Sequence, residues 1–201
     1  MIRVVAFDIG RVLLDFDYGI FVRRMAPSTR LDVSALDALL NQSPLLAAYE
    51  SGQIDCAKFF RKIQADTGFN GTQEEFSALF EEIFTPIDAM MELHAQVVAC
   101  GIPAWTFSNT NAMAVRHISR AYEFWARCAG HILSHEVGAL KPDATIYTTL
   151  ESTTEATGYD IAYIDDLQDN VDAALKRGWS AVRYENPEQA RVAFRKMGIA
   201  V

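Results

Sequence analysis

Three apolar runs in this 201-residue chain stop abruptly in groups that can do chemistry. Val4-Val5-Ala6-Phe7 ends in Asp8, Ile102 to Phe107 ends in Ser108-Asn109, and Ile161-Ala162-Tyr163-Ile164 ends in Asp165-Asp166. Lys141 lies in the loop before the last run. A carboxylate can act as a nucleophile, neighbouring carboxylates can hold an oxygen-seeking cation, and an ammonium can offset charge on an anionic substrate. Taken singly, each residue has a plainer use. Asp8, Asp165 and Asp166 could cap turns or helices, Ser108 could cap the helix after Asn111, and Lys141 before Pro142 could be an exposed loop lysine. What matters is whether the fold brings them together.

The elements that would position them follow from periodicity. Val4 to Phe7, Ile102 to Phe107, a segment around His131 to Ser134, Ile161 to Ile164 and Ala181 to Tyr184 are short apolar or β-branched runs that read as strands. After the second strand they alternate with helical patterns at 112–125, 143–156, 171–177 and 187–197. This predicts an α/β fold, a doubly wound, parallel, Rossmann-like sheet. In such a sheet the carboxyl ends of the strands share one edge, where ligands bind, so Asp8, Ser108, Asn109, Asp165 and Asp166 can face one pocket.

About seventy residues of helical pattern separate the first strand from the second, far more than an ordinary crossover needs. Helices are expected at 18–25, 34–42, 44–51, 56–67 and 73–84. Asp55 caps the fourth, Phe59, Phe60 and Ile63 lie on its inner face, and Thr72 with Glu75 forms a capping box for the fifth. Residues 11–17 read as a small extended flap, and Pro86 opens a further helix through Val98. The organisation expected is a Rossmann-like core from residues 1–15 and 86–201 with an inserted α-helical cap at 16–85.

Composition narrows the partners. Half the residues are hydrophobic, enough for one buried core, and the formal charge of −8 argues against nucleic acid, whose phosphates are held by clustered Lys and Arg. Cys56, Cys100 and Cys128 are odd in number and lack metal-ligand spacing, so they read as reduced core thiols, and cytoplasmic location is expected. No apolar run approaches a membrane span of roughly 20 residues. His131 and His135 straddle a strand-like segment, where a spacing of four does not converge on one metal.

Phe7-Asp8-Ile9-Gly10-Arg11-Val12, Phe107-Ser108-Asn109, Leu140-Lys141-Pro142-Asp143 and Ile164-Asp165-Asp166 with Asn170 stand in an order that resembles the haloacid dehalogenase superfamily, mostly phosphatases. The resemblance covers essentially the whole chain, with the cap between the first and second motifs. It implies that Asp8 is the nucleophile, forming an aspartyl-phosphate. Asp8, the carbonyl of Gly10 and Asp166 would hold Mg²⁺, with Asp165 also at the metal site as direct or supporting group. Ser108, Asn109 and Lys141 would bind the transferring phosphoryl group, with Ser108 and Lys141 assisting catalysis, and Asn170 would orient Asp166 or Lys141. Arg11, Tyr18, Arg23 and Arg24 lie just beyond the nucleophile and are candidate substrate contacts, although a solvated face accounts for the arginines about as well. The partner implied is a small phosphorylated metabolite, handled by a monomer or homodimer.

One position departs from the pattern. Most phosphatases of this superfamily carry a second aspartate two residues after the nucleophile, as general acid and then base, and here that residue is Gly10. Proton transfer of this kind is worth ~10²–10⁴-fold. Three accounts compete: a flap residue, Asp15 or Asp17, or a solvent chain does the work; the leaving group needs little help; or activity is lost. The subgroup with Gly at this position, which the chain resembles through Val12-Leu13-Leu14-Asp15-Phe16-Asp17, includes sugar-phosphate phosphatases of the α-D-glucose-1-phosphate type. The competing functions are a 2-haloacid dehalogenase, in which Asp8 attacks carbon and halide leaves without a proton, and a non-catalytic module that keeps the fold.

Overall fold

The computed structural model describes residues 1–40, 43–81 and 83–201. β1 (Val4–Phe7) and β2 (Leu14–Phe16) precede five helices: α1 (Tyr18–Met25), α2 (Val33–Leu40), α3 (Pro44–Glu50), α4 (Cys56–Thr67) and α5 (Gln73–Glu81). β3 (Phe84–Pro86) and α6 (Asp88–Ala99) lead to β4 (Ala104–Ser108), α7 (Ala112–Ala121), α8 (Phe124–Arg127), β5 (Gly130–Leu133) and α9 (Ser134–Val137). α10 (Ala144–Thr154), β6 (Ile161–Asp165), α11 (Gln168–Lys176), β7 (Ser180–Arg183) and α12 (Pro187–Lys196) complete the chain.

Five strands form one parallel sheet in the order β5-β4-β1-β6-β7. β1 is central because it can be buried on both faces. Val5 and Phe7 point into a core with Met90, Leu93 and Val97 of α6 and Phe194 of α12, while Val4 and Ala6 join Ile146, Tyr147 and Leu150 of α10. β6 divides in the same way, Ala162 and Ile164 to one side and Ile161 and Tyr163 to the other. This period of two, with apolar residues on both faces, is what a strand covered by helices above and below requires. Strand order reverses beside β1, so the carboxyl ends of β1 and β6 border the crevice where such sheets bind ligands.

The helices of the insertion have their own core, built from Phe21, Leu36, Tyr49, Phe59, Ile63 and Phe76 among others. Asp17 and Ser43 cap α1 and α3, Asp55 caps α4, and Gly68 ends α4 in the left-handed conformation that glycine adopts without strain. The cap is moored to the sheet at the end of α3. The Met113 N–H donates to the Tyr49 hydroxyl (3.2 Å), Ser134 Oγ donates to the Glu50 carbonyl (2.5 Å), and a Cβ added at Gly52 would collide with the His135 carbonyl.

Several expectations change. The predicted 73–84 helix is described over Gln73–Glu81, while Phe84–Pro86 is a strand that pairs antiparallel with Leu14–Phe16, so the two chain crossings between the sheet and the inserted helices form a small ribbon. Ile83-Phe84-Thr85 is β-prone, and that ribbon satisfies the flap's backbone, which a lone strand could not. The helix opened by Pro86 begins at Asp88, and the 112–125 helix ends at Ala121, with Tyr122 extended before α8. Asn41 and Gln42, the end of the predicted 34–42 helix, and Glu82 lie outside the described residues. All three cysteines are free, but Cys100 is exposed rather than in the core. Among the described residues no helix is long and apolar enough to cross a membrane.

Candidate active site

Asp8, Gly10, Ser108, Asn109, Lys141 and Asp166 line one cavity of about 580 Å³ at the carboxyl edge of the sheet. The cap closes its other side with Asp17, Tyr18, Asp37 and Glu50. Strand ends far apart in sequence therefore converge as the parallel topology demands.

At the floor, Lys141 is almost wholly buried and its ammonium meets three acceptors: Asp165 Oδ2 at 2.6 Å, the Phe107 carbonyl at 2.8 Å and Asp8 Oδ1 at 3.0 Å. The rings of Phe107 and Tyr163 flank it at 5.3 and 5.7 Å. Burial works against the charge, but Asp165 and Asp8 outweigh it and hold the ammonium pKa above its ordinary value. The reading of Lys141 as an exposed loop lysine is corrected in its exposure: it stands in the loop but is buried, and its backbone is clamped by Asn109, whose side-chain amide donates to the Lys141 carbonyl (3.0 Å) and accepts from the Lys141 N–H (2.7 Å). Asn109, which lines the cavity, spends its side chain holding Lys141.

The two carboxylates that share Lys141 are not equivalent. Asp165 has the closer ammonium, and it also accepts from Tyr163 Oη, the Leu167 N–H (2.8 Å) and Asn170 Nδ2 (3.0 and 3.1 Å to its two oxygens). Burial raises its pKa, but Lys141 and these donors bring it below the ordinary value. Asp8 has fewer donors, and burial drives its carboxyl pKa up, against Lys141 and with Asp165 and Asp166. Asp166 is half-buried and raised for the same reasons, burial first and then Asp165. Asn170 orients Asp165, not the expected Asp166 or Lys141.

Asp8, Asp165 and Asp166 each offer an oxygen within 4.8 Å of the others. Three hard oxygen donors so close suit Mg²⁺, which prefers carboxylates and water. Asp8 and Asp166 line the cavity, whereas Asp165 stands behind it with its oxygens already hydrogen-bonded. Asp165 thus also positions Lys141, whose ammonium it accepts at 2.6 Å.

Ser108 is buried at the cavity, and its hydroxyl makes one long contact, to the Asn109 carbonyl (3.4 Å). It does not cap α7, because Asn111 does, accepting from the Ala114 N–H. Tyr18 lines the cavity. Arg11 lines it from a left-handed conformation (φ 60°), with its guanidinium 3.4 Å from Asp15 and over the Phe16 ring at 5.0 Å. Arg23 pairs with Asp17, and neither it nor Arg24 lines the cavity. His131 bonds Thr106 and stacks on Trp125, and His135 contacts the Thr110 carbonyl, in keeping with structural roles.

The place of the second aspartate is filled. A Cβ on Gly10 would lie 2.9 Å from Cε1 of Phe16, so the ring occupies the start of any side chain there. Asp15 is exposed, paired with Arg11 and off the cavity. Asp17 lines the cavity, but it caps α1 through the Gly19 N–H (2.7 Å) and pairs with Arg23 (3.2 Å). Glu50 is the residue that sequence reasoning missed. It lies at the end of a cap helix, where no motif marks it.

No family model matches the chain. Solved structures do. A haloacid dehalogenase (HAD) family enzyme from Bacteroides thetaiotaomicron, crystallised with magnesium and inorganic phosphate, matches with a TM-score of 0.82 at 17% identity, covering 92% of this chain and 95% of that one. A HAD-like family hydrolase from Porphyromonas gingivalis matches at 0.81 and 20% identity, covering 96% and 98%. The L-2-haloacid dehalogenase of Xanthobacter autotrophicus matches at 0.67 and 16%, covering 95% and 82%. The chain has the haloacid dehalogenase fold. Residues of all four sequence motifs line the cavity this fold creates.

Proposed function

We propose that this protein is a Mg²⁺-dependent phosphatase of the HAD type, hydrolysing a small phosphomonoester, in particular a sugar phosphate, through an aspartyl-phosphate on Asp8. The observation that carries the reading is the grouping of Asp8 and Asp166 with the Lys141 ammonium on one cavity floor. Asp8, the Gly10 carbonyl and Asp166 would hold the cation, which would offset the repulsion between Asp8 and an anionic substrate. Asp8 attacks phosphorus as the bond to the leaving oxygen breaks, and water then attacks the phosphorus of the aspartyl-phosphate, releasing phosphate and regenerating Asp8. Lys141, held by Asp165, offsets charge on the phosphoryl oxygens, and Ser108 with the following main chain donates hydrogen bonds to them. The Bacteroides enzyme that shares the fold was crystallised with magnesium and phosphate, which supports the same ligands here.

A dehalogenase reading draws on Gly10, since halide leaves without a proton. It leaves Asp166 unused beside a carboxylate substrate, at a cost in desolvation. Phosphate release across a panel of phosphomonoesters, with Mg²⁺ and with chelator, tests the choice. Activity should require the metal and vanish in Asp8→Asn. Activity that survives chelation or that substitution overturns the mechanism, and halide release from 2-chloropropionate would establish the rival.

A further inference from the structure

We propose that Glu50, carried by the cap, is the general acid and base that Gly10 cannot supply: it protonates the leaving-group oxygen and later takes a proton from the attacking water. This rests on the phosphatase reading.

The placement is structural. Glu50 ends α3, and its own carbonyl accepts from Ser134 Oγ, which in turn accepts from the Thr110 N–H (2.9 Å). Thr110 lies in the loop that Ser108 begins, so the cap glutamate is bolted to the segment assigned to the phosphoryl group. Tyr49, one residue earlier, is anchored to Met113, and Gly52, two residues later, packs on His135 too closely for any side chain. With both flanks fixed, Glu50 lines the same cavity as Asp8, its carboxyl near enough to Tyr18, also on the lining, to oppose that phenol's ionisation. Asp8 lines the cavity of about 580 Å³ from the sheet edge and Glu50 lines it from the cap, so a leaving group directed away from Asp8 meets the cap side.

The chemistry of the site favours Glu50 over its neighbours. Asp17 is committed to Gly19 and Arg23, while the Glu50 carboxyl has no ion pair or side-chain hydrogen bond among the described residues. Burial pushes its pKa up to about 7, the range in which one carboxyl can both give and take a proton at neutral pH. The other groups that can carry charge and line the cavity from the cap side are Asp17, Tyr18, whose own ionisation burial and Glu50 oppose, and Asp37; Asp8, Arg11, Lys141 and Asp166 line it from the core, and His135 of α9, packed on Gly52, is kept towards neutral by burial. In the first step the Asp8–phosphorus bond forms, the bond to the leaving oxygen breaks, and the Glu50 proton passes to that oxygen. In the second, water attacks phosphorus, its proton returns to Glu50, and the Asp8–phosphorus bond breaks. The sum is ester plus water giving alcohol plus phosphate.

The test is the leaving-group dependence of Glu50→Gln. With alkyl phosphates kcat should fall by ~10²–10⁴-fold, whereas with p-nitrophenyl phosphate, whose leaving group needs no proton, the fall should stay within about tenfold. The alkaline limb of the kcat profile near pH 7 should be absent from the variant. An equal loss on both substrates, a change confined to KM, or the same pattern in Asp37→Asn but not in Glu50→Gln overturns the assignment while leaving the phosphatase reading intact. A wild-type protein that releases phosphate from no ester removes both.

Discussion

Glu50→Gln should make the protein more stable at pH 8 and leave it nearly unchanged at pH 5. The Glu50 carboxyl is largely buried, and desolvation moves its pKa from 4.5 to about 7. This is the reverse of the usual carboxylate case. Because the folded value lies above the unfolded one, the native state holds the proton more tightly. The full stability is present below the unfolded value, and it falls as pH rises from about 4.5 to about 7 and stays low above that. With these two values the ionised carboxylate costs the fold about 3 kcal/mol at pH 8 and under about 1 kcal/mol at pH 5. Glutamine keeps the shape without the charge, so the variant recovers the difference. At ~2–4 °C per kcal/mol for a chain of this length, the melting midpoint at pH 8 should rise by roughly 6–12 °C. Thermal melts of both proteins at the two pH values, in chelator so that metal binding does not intervene, measure it. A midpoint unchanged or lowered at pH 8 would refute the reasoning. So would an equal rise at both pH values, since a side chain that merely packs better gains at both. Together with the leaving-group series, the result separates a carboxyl kept for chemistry at a cost in stability from one that serves packing.

Lys141→Met should lower stability by ~3–5 kcal/mol, because it leaves Asp8 and Asp165 buried without their shared ammonium, and added Mg²⁺ should recover part of the loss by binding the carboxylates. A loss below about 1 kcal/mol in denaturant titrations would show that the ammonium is not what balances them. Gly10→Ala should cost ~1–3 kcal/mol because its Cβ meets the Phe16 ring, which Tyr18 and Phe84 hold edge-on or tilted; adding Phe16→Leu should relieve it in a double-mutant cycle. A neutral Gly10→Ala would mean that the ring is not what excludes a side chain there.

How much of this was legible in the sequence depends on the range over which each determinant acts. β1 and β6 were plain because burial on both faces demands uninterrupted apolar residues, and Asp8 and Asp165-Asp166 stood out as the breaks in those runs. Parallel topology then did the work of convergence, since it puts every strand's carboxyl end on one edge whatever the sequence separation. β3 was not legible, because three residues hold no periodicity and their pairing with β2 is decided by a partner some seventy positions away. The division of labour between Asp165 and Asp166 was equally hidden. Adjacent carboxylates look alike in a sequence, and only the donors around Asp165, from Tyr163, Leu167, Asn170 and Lys141, show that one is spent on Lys141 while the other faces the cavity. Glu50 was the least visible of all. A single glutamate at the end of a helix is ordinarily a solvated side chain, and what makes this one different is contributed by residues elsewhere: Ser134 holds its carbonyl, Met113 anchors the hydroxyl of the neighbouring Tyr49, and the Phe16 ring fills the space beside Gly10. The same contacts explain why a glycine can stand at position 10 without implying an inactive chain: the acid's place is taken by an aromatic ring, and a carboxyl with a raised pKa faces the cavity from the cap.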